Sequence, residues 1–319
     1  MALSRRLIGG ALIGLAVVAG AAIWLYVRPR RVEGPVAGPP APSPKVEVKP
    51  AKPKSAAERH ADLKRRYDEL AKKKWDESLF GEFEGIIQDA RALQQAFPNS
   101  KEGLQAQELA ILAYEKQGKF PQRFEAFLQY VEMGEKVYDR EMASKILLLE
   151  ANRNFKNKEF LTANRFYEEV LSRYPEGKVA DIARFQVGRC FEEVGDWQVA
   201  LRKYKAIMDA PAGASGMKLD AWKQTYEVYA RRGRTQQALD TLQGICGHYK
   251  DKPEARWAHL EKGAYLWRLG KNAEALRVLH EVKKLYPGAP EAGQAEQYIK
   301  RIEAAFTNIE KGKLFDLPK

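Results

Sequence analysis

Cysteine is nearly absent: Cys190 and Cys246 are the only two in 319 residues, far apart and in no Cys-x-x-Cys pair. That excludes a disulfide framework and a thiolate zinc site, and two such thiols are expected to lie free and buried. The four histidines, His60, His248, His259 and His280, form no HExxH pair or other close ligand set. There is no Gly-x-Ser-x-Gly, no phosphate loop and no dinucleotide fingerprint. Gly213-Ala214-Ser215-Gly216 reads as a turn between helical segments rather than a nucleophile elbow, and Glu192-Glu193 as a helix surface rather than an acid–base pair. No segment alternates apolar and polar residues as a half-buried strand does. Neither a metal, a cofactor nor an enzymatic activity is expected, which leaves binding.

The net charge of +12 suggests nucleic acid until it is located along the chain. Residues 1–54 hold nine Lys/Arg against Glu33 and Glu47, an excess of seven, and the other 265 residues carry an excess of five. The bulk of the protein therefore has a mixed surface, and no specific nucleic-acid partner is expected.

After a short tail (1–6) containing Arg5 and Arg6, Leu7 to Val27 is a run of 21 uncharged, largely apolar residues, the length of a membrane-crossing helix. Ala19-Gly20-Ala21 reads alternatively as the cleavage site of an export signal. The run continues through Trp24 and Tyr26 to Val27, so an uncleaved anchor is the expectation. Arg28, Arg30 and Arg31 outnumber Arg5 and Arg6, and a strict positive-inside count puts the following chain in the cytoplasm. The short basic start before an apolar run has the form of an export signal, and a single-pass inner-membrane protein with its body in the periplasm is the preferred topology. Gly10-x-x-x-Gly14 is a spacing at which two such helices can pack as a homodimer. Residues 28–57 follow as a proline- and lysine-rich linker. Eight prolines between 29 and 54 fix φ and remove amide donors, so this tract is expected to be extended and unfolded.

From about residue 60 apolar residues return at three and four positions, as in Phe155, Phe166, Tyr167, Val170, Leu171 and Tyr174. Gly81, Gly118, Gly195, Gly233 and Gly270 each stand between two helical segments, with Lys158 filling the missing place, in steps of 37 to 40 residues. Ala163, Ala200, Ala238 and Ala275 keep the same step, and Pro98, Pro175 and Pro287 close units. Such a period means stacked two-helix units, the glycine making the tight turn and the alanine marking a close helix crossing. The expected layout is a degenerate first unit at 58–98, regular units over 99–289, and a capping helix and tail over 290–319. In the cap, Tyr298, Ile302, Phe306 and Ile309 share one face.

This pattern resembles the tetratricopeptide repeat. Gly188, Phe191, Gly195, Ala200 and Tyr204 match its small residue, aromatic, turn glycine, alanine and aromatic, and Trp222, Tyr229, Gly233 and Ala238 match in the next unit. The match is weaker at 101–134, where Arg123 replaces the alanine. The stretch from Tyr167 to Tyr204 is similar to periplasmic forms of the repeat, such as those of the Tol–Pal coordinator and the β-barrel assembly lipoprotein. The resemblance implies an all-α solenoid with a right-handed superhelical twist. Its concave side would be lined by the first helix of each pair and would bind a protein or peptide, here in a bacterial envelope complex. The positions it places on that side are Lys145, Leu148, Asn152, Phe155 and Lys156, then Phe185, Arg189, Glu192 and Glu193. Lys223, Glu227 and Arg231 follow, then Trp257, Leu260, Trp267 and Arg268. Their charges are mixed, with His259 a further base if protonated and Asp220 a further acid. The carboxylate clamp of some relatives is not reproduced, because Glu227 stands where asparagine is needed. Trp257 and Trp267 are either exposed anchors or packing between units, and Trp267 with Arg268 forms the strongest expected contact. The alternative to a scaffold is a cell-wall or polyanion-binding module that uses the basic linker and surface.

Overall fold

The computed structural model describes residues 53–211, 213 and 215–310, with side chains to 305. The expected membrane helix, the paired Gly10 and Gly14 and the proline tract as far as residue 52 lie outside the described residues. From Pro53 onward the described chain is helical throughout, with thirteen helices and no strand among the described residues. The first six are α1 (Ala56–Ala71), α2 (Leu79–Ala96), α3 (Lys101–Lys116), α4 (Phe120–Val137), α5 (Arg140–Lys156) and α6 (Phe160–Arg173). Then come α7 (Gly177–Glu193), α8 (Trp197–Met208), α9 (Lys218–Arg231) and α10 (Thr235–His248). The last three are α11 (Pro253–Arg268), α12 (Asn272–Leu285) and α13 (Pro290–Glu310). No helix among the described residues is long and apolar enough to cross a membrane.

Each helix packs on the one before it and the one after it, which is the contact pattern of an α-solenoid. The substantial next-but-one contacts join α1 to α3, α5 to α7 and α11 to α13. All are odd-numbered, so the odd helices crowd together on the inside of the curve and the even helices lie outside.

The turn from an odd to an even helix is nearly identical in five units. Gly118, Lys158, Gly195, Gly233 and Gly270 adopt φ values of 67, 65, 90, 67 and 73°. In each, the next residue's amide donates back to the carbonyl five positions earlier, as from Lys119 to Tyr114 at 3.0 Å and from Glu159 to Asn154 at 2.9 Å. This six-to-one bond satisfies a helix-end carbonyl and needs a left-handed residue, which a glycine supplies without strain. Gly81 departs from the sequence expectation: it lies inside α2, and the connection from α1 runs through residues 72–78 instead. The first helix also begins at Ala56, two residues into the expected linker, because Ser55 and Glu58 form a reciprocal capping box.

The predicted crossings are tight. Ala163, Ala200, Ala238 and Ala275 are fully buried. A methyl group on Gly188 would meet the Tyr204 ring at 2.5 Å, and one on Gly263 would meet Leu279 at 2.6 Å. The unit of α9 and α10 solves the same problem differently. Tyr226 occupies the place of Gly188, and the missing volume appears on the partner helix at Gly244, whose Cβ would strike the Trp222 ring at 2.6 Å. At the carboxyl end, α13 buries Ala295, Ile299 and Ile302 beside Val278, Leu279 and Val282, with Tyr298 packed against the cluster. Tyr298 and Ile302 therefore share the packed face as expected, whereas the Phe306 and Ile309 side chains lie outside the described residues.

Arg123, the residue that replaces the crossing alanine, is buried rather than turned outward. Its guanidinium pairs with Glu150 and donates to Glu115 at 3.0 Å, while Arg153 closes the cluster on Glu115 at 3.1 Å. Burial pushes the Glu115 carboxyl up, but the hydrogen bonds and charges of Arg123 and Arg153 outweigh it and hold the group below its ordinary value. Restoring the repeat's alanine should therefore do harm. Arg123→Ala leaves Glu150, whose side chain is 7% exposed, with only the longer 3.5 Å contact of the half-exposed Arg153 as a cation, at a cost toward the lower end of about 3–5 kcal/mol. Denaturant melts should show that loss, and Arg123→Ala combined with Glu150→Leu should recover most of it. A more stable single variant would mean that the ion pair is dispensable.

Candidate partner-binding face

Helix α5 shows how the inner face arises. Ala143, Leu147 and Ala151 form a fully buried stripe at four-residue spacing. The opposite face of the helix then presents Lys145, Leu149, Asn152 and Lys156 along one line. Lys145 is exposed and pairs with Glu141 at 2.5 Å within the helix. Asn152 accepts from the Tyr167 hydroxyl at 2.7 Å. Lys156 is exposed and makes no ion pair. Leu148, the aliphatic residue expected on this face, packs against the core instead. Its neighbour Leu149 is 70% exposed. The sequence carried that signal, because Leu149 stands four residues after Lys145 and three before Asn152.

Toward the carboxyl end the expected site residues hold the units to one another. The Arg189 guanidinium lies 5.2 Å above the half-buried Phe155 ring and pairs with Glu193 at 3.6 Å. Phe155 also meets Phe160 edge-on at 5.3 Å. Phe185 packs on Tyr204 with ring centres 5.6 Å apart, so it belongs to the core of its unit. Glu192 is a junction rather than a surface carboxylate. Its side chain is 9% exposed and accepts from Tyr204 and Gln224, each at 2.9 Å, and from Arg231. Beside a carboxylate and buried, the Tyr204 hydroxyl is pushed far above its ordinary pKa, desolvation being the larger cause.

On α9 and α11 the Lys223 ammonium sits 4.8 Å above the Trp257 ring, whose edge approaches Tyr226. Glu227 is exposed and its carboxylate makes no ion pair. Asp220 is half-buried and Leu260 is buried. Arg268 is held by Glu261 at 2.5 Å and by the Tyr226 hydroxyl at 2.9 Å. His259 is not an additional base: burial lowers its pKa, and Nδ1 lies 2.6 Å from the Tyr286 hydroxyl. Trp267 is not an exposed anchor either. It meets Tyr298 edge-on at 5.4 Å and packs in the cluster that seats α13.

The structure divides the predicted positions by availability. Arg189, Glu192, Arg231, Trp267, Arg268 and Phe185 are committed within the protein. Leu149, Lys156, Glu227 and the Lys223–Trp257 pair remain open to a partner. Both cysteines are free and buried, and desolvation pushes Cys190 up to about 12 and Cys246 up to about 11. Thiols held that far from ionisation are inert, which removes them from any site chemistry. Trp267→Ala should cost about 1–3 kcal/mol of stability through lost packing, and hydrogen exchange should show α13 loosening first. Unchanged exchange in α13 would return Trp267 to the list of free surface aromatics.

The sequence matches no protein-family model and no curated protein. Among solved structures, the protein is similar to a tetratricopeptide repeat protein from Parabacteroides merdae, at 16% identity and a TM-score of 0.35, covering 79% of this chain and 94% of that one. It is also similar to BtubC (BKLC) from P. vanneervenii, at 13% identity and a TM-score of 0.35, covering 77% and 92%. A third is the Cut9–Hcn1 hetero-tetramer of the APC/C, at 13% identity and a TM-score of 0.34, covering 77% of this chain and 48% of that one. The protein spans about half the length of that last chain. The α-solenoid assignment rests on this chain's own helix contacts and turns.

Proposed function

We propose that this protein is a non-enzymatic scaffold that holds a protein or peptide partner along the inner face of its solenoid. In this reading Leu7 to Val27 tethers it to the inner membrane, the proline tract links that anchor to the repeats, and the repeats work in the periplasm as part of an envelope complex. One observation carries the binding face. Leu149, an aliphatic side chain, is 70% exposed at the centre of an inner-face helix, more than any other apolar residue of that helix, of which Ala143, Leu147 and Ala151 are buried and Met142 is 45% exposed at its start. It is flanked on its own face by Asn152 and Lys156, and the repeats on either side are fixed to α5 by contacts among their own side chains. A face already ordered in this way loses little conformational entropy when it closes on a partner.

Photo-crosslinkers placed at Leu149 in the full-length protein should trap a discrete partner that the same probe at the outward Lys205 does not trap. Leu149→Asp should weaken that complex by about 1–3 kcal/mol, as loss of an interface anchor does, while the melting temperature stays at the wild-type value. Crosslinks from Lys205 alone would move the binding face to the outer helices.

Location has a separate test. Protease added to spheroplasts should digest residues 55–319 and leave the anchor in the membrane. Protection until lysis would place the repeats in the cytoplasm, as the strict count of flanking arginines does.

A further inference from the structure

We propose that the edge of the solenoid formed by its first three odd-to-even turns docks on an anionic lipid surface. These turns follow α1, α3 and α5 and lie side by side. Gln117 donates from Nε2 to the Phe80 carbonyl at 2.9 Å, and Lys119 lies 4.5 Å above the Phe80 ring. Arg153 ties the third turn to the second through Glu115 at 3.1 Å.

The edge combines exposed lysines with exposed bulky apolar side chains. Lys72, Lys74, Lys116 and Lys158 are exposed and make no ion pair. Between them stand Trp75, Phe80, Phe120 and Leu161, all exposed, the last two at 64% and 71%. Asp76, Glu77 and Glu159 are exposed acids among these groups, the Asp76 carboxylate accepting from the Ser78 amide, and they leave the four unpaired lysines in excess. The patch has boundaries. The fourth turn carries Glu193 and Asp196, and the connections at the opposite edge of the same units (97–100, 138–139 and 174–176) carry Asp139 and Glu176 and no lysine, the exposed Lys101, Lys136 and Lys178 there lying on the flanking helices. Lysine with bulky apolar tips is the composition of an interfacial membrane surface, where ammonium groups meet anionic headgroups and the apolar tips enter the acyl boundary. A single-stranded nucleic acid calls instead for aromatic faces on which bases stack, and the most exposed member here, Leu161, has no such face.

Lys158 adds an independent observation. It sits at φ 65° in the position that is glycine in the other four turns of this type. A left-handed backbone strains a lysine and not a glycine, so the chain accepts strain to place a cation there.

The test uses the full-length protein reconstituted in phosphatidylcholine vesicles with and without phosphatidylglycerol. Both native cysteines are buried, so Asn157→Cys on the edge and Lys250→Cys on the opposite edge can each carry a single fluorophore. Spin-labelled lipid should quench the Asn157→Cys label when phosphatidylglycerol is present, and high salt should reverse this. The Lys250→Cys label should stay unquenched. Lys158→Gly, in the Asn157→Cys background, should raise the melting temperature while weakening the lipid response about fivefold, the effect of one lysine near an anionic surface. No quenching in either lipid, equal quenching at both edges, or Lys158→Gly that stabilises without loss of response would overturn the proposal. So would a label shielded by soluble polyphosphate but never quenched by lipid, which would assign the edge to a polyanion.

Discussion

Each helix pair depends on one place where side-chain volume is missing. Two helices joined by a turn of a few residues must cross closely near that turn, and their crossing admits a large side chain from one partner only. Ala163, Ala200, Ala238 and Ala275 leave that room on the even helices, while Gly188 and Gly263 leave it on the odd ones for Tyr204 and Leu279. The constraint acts on the pair and not on a fixed position. Where Tyr226 fills the odd-helix place, Gly244 opens a new one under Trp222. Where Arg123 fills the even-helix place, a buried carboxylate on the next helix accepts its guanidinium. Packing of this density tolerates exchange of volume between partners but not its addition.

This explains what the sequence revealed and what it concealed. The turns were legible because a left-handed residue after a helix has few chemical solutions, and even Lys158 declared itself by position. Gly81 misled because a glycine inside a helix obeys no turn rule: α2 simply continues through it, and the degenerate first pair turns nine residues earlier at Lys72. Of the face expected from a 3.6-residue period in the last helix, Tyr298 and Ile302 pack against the repeats, beside Ala295 and Ile299, which were not expected. The expected inner-face positions were legible only in part: Lys145 and Lys156 are exposed, whereas Leu148 and Phe185 pack against the core.

What the sequence did not show is which inner-face groups are free. Arg231 meets Glu192 across 39 residues of chain, Arg268 meets Tyr226 across 42, and Gln224 meets Glu192 across 32. These separations follow the repeat period, because a side chain near the end of one odd helix touches the corresponding end of its neighbour. A count of charges by position treats Arg231 and Arg268 as available, whereas Arg231 is paired with Glu192 of another helix pair and Arg268 with Glu261 of its own helix. Trp267 was concealed for a related reason: its partner, Tyr298, belongs to the cap and not to a repeat.

These inter-repeat contacts have a mechanical consequence. Each unit of a solenoid touches only its neighbours, so flexibility is set junction by junction. The junctions from α7 onward are fastened by Glu192, Arg231, Glu261 and Arg268, and the one between α4 and α5 by the Arg123–Glu150 cluster. Removing one partner from any of these leaves a desolvated charge or hydroxyl behind, so each junction resists opening more than an exposed ion pair does. Between the two fastened regions lies α5, whose inner face carries the exposed Leu149 and the unpaired Lys156. A partner seated there meets groups that need not break an internal ion pair to bind. The same chemistry that engages much of the carboxyl-terminal inner face, Glu227 and the Lys223–Trp257 pair excepted, thus leaves Leu149 and Lys156 of α5 unengaged.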